Sequence, residues 1–292
     1  MFSQYFGRYL LNEKYLTESQ LKTALDYQQS VRLKLGVLAI NAGYMNAQQA
    51  NQAHQMQTKL DKRFGEIAVT SGYLKEEQVE ELLSSQRFGH LLLAQALIDK
   101  GYMSLEVFEG AIYEYKKKYN ISEGQFDLLQ KDDVDEIINI YVNLEGDKYE
   151  KEIKHYIALF MRNIIRFIDS EVYTNKIMKV EKYKTKCAVT QRIKNAINLQ
   201  TYINAEPEVF LKIASKYAEE ELSSLDEMAK DSIGEFLNLN NGLYLVGMSN
   251  KGIELEMEAQ SVFFDETISI SSAYVLPIEL PFGKIELIIS YL

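Results

Sequence analysis

The chain is poor in cysteine, proline and histidine, and each shortage excludes something. One cysteine, Cys187, cannot build an internal disulfide framework and suits a reducing cytoplasm, the expected location. Three prolines and 15 glycines in 292 residues leave little room for long structureless stretches. His54, His90 and His155 are too scattered in sequence to suggest a zinc site or a histidine-activated nucleophile. No apolar run approaches the roughly 18 residues that a membrane helix needs. The opening Met1-Phe-Ser-Gln-Tyr-Phe-Gly-Arg lacks a cationic segment followed by an apolar one, so no signal peptide is expected. No Gly-x4-Gly-Lys-Ser/Thr phosphate loop occurs anywhere.

What is present is a globular composition, 47% hydrophobic and 25% charged, with enough length for two domains. The charge is uneven. Residues 1–120 carry 14 Lys and Arg against 13 Asp and Glu, whereas residues 121–292 carry 18 against 29. So acidic a C-terminal part argues against nucleic acid, which demands a cationic footprint. It is compatible with a protein partner, or with a partner that brings its own metal ion.

The first 118 residues predict an α-helical repeat domain of four units with a period of 29. Gly7, Gly36 and Gly65 are followed at the same phase by Ala94. Seven residues further on stand Lys14, Gly43, Gly72 and Gly101, each followed by a tyrosine (Tyr15, Tyr44, Tyr73, Tyr102) and then by Leu16, Met45, Leu74 or Met103. Gln28, Gln57 and Gln86 close the first three units. Each unit reads as a short helix, a glycine able to adopt the left-handed conformation, and a longer helix opened by a polar cap such as Thr17 or Ser104. The repeated glycine and tyrosine read as packing between stacked hairpins.

The units Lys34-Leu35-Gly36 … Gln57 and Arg63-Phe64-Gly65 … Gln86 also resemble the N-terminal domain of type II secretion and type IV pilus ATPases. Some members of that family bind cyclic di-GMP through tandem copies that open Arg-Leu-Gly and end in Gln. The resemblance implies Lys34, Gly36, Gln57, Arg63, Gly65 and Gln86 as possible ligand-binding residues. Lys34 stands where the family has arginine, and Tyr5 and Leu92 take that place in the first and fourth units. A lysine cannot reproduce the planar bidentate fork of arginine.

Residues 119–150 read as an acidic helical linker, and residues 151–292 as an α+β domain with long helices on a mostly antiparallel sheet. Ile153, Ile157, Phe160, Ile164 and Ile168 form the apolar stripe of a first helix, with His155 off the stripe and expected to be solvated. Alternation predicts paired strands over 187–193 and 197–203, with Cys187 as a packing residue. Pro207 opens a helix. A further helix is expected over about 225–240, ending at Asn240-Asn241-Gly242, with strands at 243–248, 253–257, 268–272, 273–280 and 285–291.

On that further helix, at about 100° per residue, Glu235 and Asn238 fall near 40° and 340° from Asp231, while Ile233, Phe236 and Leu237 fall near 140–240°. Asp231, Glu235 and Asn238 thus share a polar ridge opposite the core face, flanked by Gly234. A glycine inside a helix costs about 1 kcal/mol relative to alanine. Close approach of a partner's backbone to Glu235 and Asn238 is the reason expected for it.

The pattern Asp231-x3-Glu235-x2-Asn238 on a long helix, with the ending Val275-Leu-Pro-Ile-Glu-Leu-Pro-Phe-Gly-Lys-Ile-Glu-Leu, resembles the CheC/CheX/FliY chemotaxis phosphatases, most closely the CheX branch. The family often has proline 23 residues after the asparagine, where this chain has Ser261. The resemblance implies a cytoplasmic phosphatase acting on the phospho-aspartate of a CheY-like response regulator. It implies catalytic roles for Glu235 and Asn238, with support from Asp231 and Gly234. It also implies a homodimer through this domain and no cofactor of its own, the Mg²⁺ being the regulator's. The N-terminal repeats would sense or dock. A non-catalytic adaptor that binds a protein or cyclic di-GMP is the alternative.

Overall fold

The computed structural model describes all residues except 29, 31, 61, 85–88 and 292. The chain divides into two compact units, Met1–Asp133 and Val134–Leu292.

The first unit is helical: α1 (Phe2–Asn12), α2 (Glu18–Gln28), α3 (Leu35–Asn41), α4 (Ala47–Leu60), α5 (Phe64–Thr70), α6 (Glu76–Ser84), α7 (Gly89–Asp99), α8 (Leu105–Lys118) and α9 (Glu123–Gln130). The even-numbered helices through α8 start 29 residues apart. Local chemistry sets these starts. The Thr17 amide donates to Gln20 and the Gln20 amide to the Thr17 hydroxyl, Asn46 and Gln49 repeat the exchange, and the Ser104 hydroxyl accepts from the Val107 amide. The residues just before them sit at φ +70°, +71° and +70° in Gly43, Gly72 and Gly101, and Lys14 takes the same conformation at the same phase.

The other repeated glycine is a packing residue. A β-carbon on Gly7 would stand 3.1 Å from Leu21, one on Gly36 3.4 Å from Phe64, and one on Gly65 3.0 Å from Val79. Leu16, Met45, Leu74 and Met103, one to each hairpin, are all buried. An aromatic cluster of Phe2, Phe6, Tyr9, His90, Tyr115 and Phe126 closes the unit. His90 is fully enclosed there, and burial lowers its pKa to about 3.

The second unit contains α10 (Val134–Tyr141), α11 (Glu150–Phe167), α12 (Pro207–Ala218) and α13 (Glu227–Ser249). Its strands are β1 (Tyr173–Thr174), β2 (Met178–Asn195), β3 (Leu199–Ala205), β4 (Leu255–Met257), β5 (Ser261–Leu280) and β6 (Gly283–Tyr291). All pairings are antiparallel, in the order β1-β5-β6-β3-β2-β4, and β2 also pairs with β5. The strands β2, β3, β6 and β5 therefore close on one another. Inside the curl Ile270, Ala273, Val275 and Ile288 are fully covered, while α13 lies against β2 and packs on α11 and α12.

Several sequence expectations are corrected here. The helix does not stop at Asn240-Asn241-Gly242, and residues 243–248 continue it rather than forming a strand. Asn240 and Asn241 are completely buried and find tertiary partners, so their usual preference for helix ends is overridden. The two strands expected over 268–280 are one continuous β5, and β2 begins at Met178. Of residues 119–150, α9 belongs to the first unit and α10 to the second. His155 is half-buried rather than solvated, with its ring 5.9 Å from that of Tyr244. Cys187 is buried.

Candidate functional site

The N-terminus of α13 is capped by the Asp226 carboxylate, which accepts from the Ala229 amide at 3.1 Å. From there the helix turns Ile233, Phe236 and Leu237 wholly inward, the Phe236 ring lying 5.8 Å from Phe160 on α11 and 5.5 Å from Tyr217 on α12. The opposite face carries Asp231 and Glu235 exposed and Asn238 half-exposed. One helical turn separates Glu235 from Asn238, and the Asn238 amide nitrogen lies 3.4 Å from a Glu235 oxygen. Burial and, after it, the Glu235 charge hold the Tyr217 phenol above its ordinary range.

Gly234 has a different reason from the expected one. A β-carbon there would stand 3.1 Å from Gln260 of the same chain, so Gln260 takes the place anticipated for a partner's backbone. Gln260 donates to the other oxygen of Glu235 at 3.2 Å. It immediately precedes Ser261, the first residue of β5.

Asn238 is held from beneath. Gln191 on β2 is 1% exposed and donates through Nε2 to Asn238 Oδ1 at 2.9 Å and to the Glu258 carbonyl at 2.9 Å. Its Oε1 accepts from Asn241 Nδ2 at 2.8 Å. Asn241 also donates to the Thr201 hydroxyl at 3.0 Å and accepts from the Tyr156 hydroxyl at 2.6 Å. Gln191, Gln260 and Asn241 were not identified from the sequence. The available signal was a glutamine at the inward phase of a strand, between Val189 and Ile193, where an apolar residue is expected.

Chemically, the ridge offers a carboxylate and a neutral amide on a rigid element. The amide presents both a donor and an acceptor, so it can hold a water molecule by a lone pair and by a hydrogen. Asp231 and Glu235 give the ridge negative charge. A free phosphate would be repelled from it unless a partner supplied cations.

In the first unit a cavity of about 660 Å³ brings together Lys34, Gly36 and Gln57 with Arg32, His54 and Phe64. The Lys34 ammonium pairs with Asp99 at 2.7 Å, and Gln57 Oε1 meets His54 Nδ1 at 3.2 Å. Arg63 and Gly65 do not line the cavity. Arg63 precedes α5 and donates its backbone amide to Glu66. Gln86 lies outside the described residues.

No protein-family model matches the chain, and no curated protein matches it. Solved structures do. A CheC-like superfamily protein from Shewanella sp. PV-4 is 19% identical over 48% of this chain and 96% of its own, with a TM-score of 0.43. The chemotaxis protein CheX from Desulfovibrio desulfuricans is 12% identical over 49% and 99%, with a TM-score of 0.43. CheX from Borrelia burgdorferi, solved as a CheX-CheY-BeF3-Mg²⁺ complex, is 18% identical over 48% and 96%, with a TM-score of 0.39.

Proposed function

We propose that the second unit is a phosphatase for the phospho-aspartate of a CheY-like response regulator, acting in chemotaxis-type signalling as a homodimer. The observation that carries this reading is the exposed carboxylate and half-exposed amide one turn apart on α13, in the Glu235-x2-Asn238 spacing of the chemotaxis phosphatases.

Asn238 orients a water in line with the scissile bond of the acyl phosphate. The water oxygen bonds to phosphorus and the bond from phosphorus to the aspartate oxygen breaks. The regulator's carboxylate leaves with the electron pair, and both of the water's protons depart with inorganic phosphate, one of them exchangeable with solvent. Such transfers pass through a loose transition state, so positioning and charge stabilisation are the main demands on the protein. A neutral amide suits the first demand, because a carboxylate beside the phosphoryl group would repel it. Glu235 pairs with a cationic side chain of the regulator and fixes the register of the complex. Glu235 accepts one bond from Gln260 and one from Asn238 and keeps further lone pairs for that cation.

Phosphate release should be measured against a panel of phosphorylated receiver domains. Asn238→Ala is expected to lower turnover about 10²-fold, equivalent to about 2.7 kcal/mol, with the fold intact. Unchanged turnover on a receiver that the wild type dephosphorylates would reject the assignment. The first unit we assign to sensing or docking. Its cavity, with Lys34 and Gln57 on the wall, is the place where cyclic di-GMP would bind, which calorimetry with that nucleotide tests.

A further inference from the structure

We propose that Gln191 is the positioning residue of the site. Its buried amide fixes which way Asn238 points and ties the loop 258–260, which reaches Glu235, to the same anchor. The functional half of this inference rests on reading Asn238 as the group that orients water.

The directions in the relay are fixed where a partner can only accept: the Glu258 backbone carbonyl must receive Gln191 Nε2, and the remaining bonds agree with it. The Thr201 hydroxyl donates to the Gln191 backbone carbonyl at 3.2 Å, so its oxygen is left to accept from Asn241. Asn241 therefore turns its NH₂ group toward Thr201 and Gln191, and its carbonyl toward the Tyr156 hydroxyl. Gln191 must then face Asn241 with Oε1 and use both protons of Nε2 elsewhere, one on Asn238 and one on the Glu258 carbonyl. If Gln191 were turned over, its NH₂ would oppose the Asn241 NH₂ and its oxygen would oppose two carbonyls. Buried at 1% exposure, such mismatches have no water to relieve them. Asn238 consequently offers its Nδ2 edge toward Glu235. The second lone pair of its Oδ1 remains free, and no reorganisation is needed when a partner docks.

The same bond to Glu258 holds the segment that carries Gln260. The Glu258 amide donates in turn to the Arg192 carbonyl at 2.9 Å, so this segment has a second anchor, and Gln191 acts directly on Asn238 and only in part on Glu235 through Gln260.

Two variants of the full chain test this. Gln191→Met keeps the shape and removes the donors. Gln191→Glu keeps the shape, and its carboxyl donates only when protonated. The titratable groups around that position are Tyr156 behind Asn241, Glu235 beyond Asn238, and Glu258, whose carboxylate pairs with Lys194. On the receiver domain that the wild type dephosphorylates fastest, Gln191→Met should lower kcat about tenfold to hundredfold with KM within about twofold. Gln191→Glu should regain activity as pH falls, in a range where wild-type activity does not rise. Unchanged kcat in the methionine variant, or a wild-type pH profile in the glutamate variant, overturns the proposal.

A readout independent of catalysis is the Asn238 side-chain NH₂ pair in nitrogen-15 spectra, assigned by its loss in Asn238→Ala. It should be dispersed and slow to exchange in the wild type, and should move toward free-amide positions in both Gln191 variants. Unmoved resonances overturn the positioning role. Moved resonances in a protein that dephosphorylates no receiver uphold the positioning role and reject the phosphatase reading.

Discussion

Both units bury polar side chains, but the two buried networks end in different places. In the helical unit, His90 Nε2 meets Asn41 Oδ1 at 3.1 Å and Asn41 donates to Gln130 at 2.6 Å, a chain that stays among packed helices. In the α+β unit, the chain from Tyr156 through Asn241 and Gln191 ends on Asn238 and the exposed Glu235. A network closed inside a core specifies packing. One that reaches the surface transmits the rigidity of the core to a group that meets solvent or a partner.

The largest expected effect sharpens this comparison through acid. His90 is neutral in the folded state, with its pKa lowered to about 3, and it regains an ordinary value near 6.5 on unfolding. The unfolded chain therefore binds the extra proton between those values. The stability that neutral His90 contributes is complete above pH 6.5 and is lost as pH falls toward 3, at up to about 1.4 kcal/mol per pH unit. Urea unfolding followed in the helical unit should show that slope, and His90→Gln should flatten it. An equal slope in the variant would break the contrast.

Next in size is Gly283→Ala at the first residue of β6, just after its turn from β5. The glycine has φ +145°, and a β-carbon there would collide with Val209 Cγ2. A loss of about 3 kcal/mol is expected, visible as faster amide exchange along β6. Gly65→Ala in the helical unit sets a β-carbon 3.0 Å from the half-buried Val79 against a helix preference of about 1 kcal/mol for alanine, and a net change within about 1 kcal/mol is expected in chemical unfolding. Gly110→Ala on α8 meets nothing within 4 Å and should stabilise by up to about 1 kcal/mol, read as a raised Tm. The smallest expected effect is none. Any calorimetric heat of cyclic di-GMP should fall with Gln57→Ala and survive Arg63→Ala, since Gln57 lines the cavity and Arg63 does not.

How far the chain was readable differs between the units for a physical reason. Hairpin positions in the first unit follow from caps and left-handed residues within a few positions of each other, so Thr17, Gly43 and Ser104 announce them. In the second unit the partners are distant. Asn240-Asn241-Gly242 has the composition of a helix end, yet Asn163 lies 77 positions from Asn240 and Gln191 lies 50 from Asn241. Those bonds carry the helix onward. The ridge itself was legible, because helical geometry alone turns Asp231, Glu235 and Asn238 away from Ile233, Phe236 and Leu237. The reason for Gly234 was not, because Gln260 approaches only once β5 is in place.

By itself the sequence determined the local matters: the starts of the even-numbered helices of the first unit, the apolar stripe of α11, and the carboxylate and amide one turn apart on α13. Tertiary structure alone decided that α13 runs on past its asparagines, that Gln260 lies over Gly234, and that Gln191 aims Asn238. Hydrogen bonds between residues dozens of positions apart exist only after strands and helices have met, and no spacing within one segment encodes them.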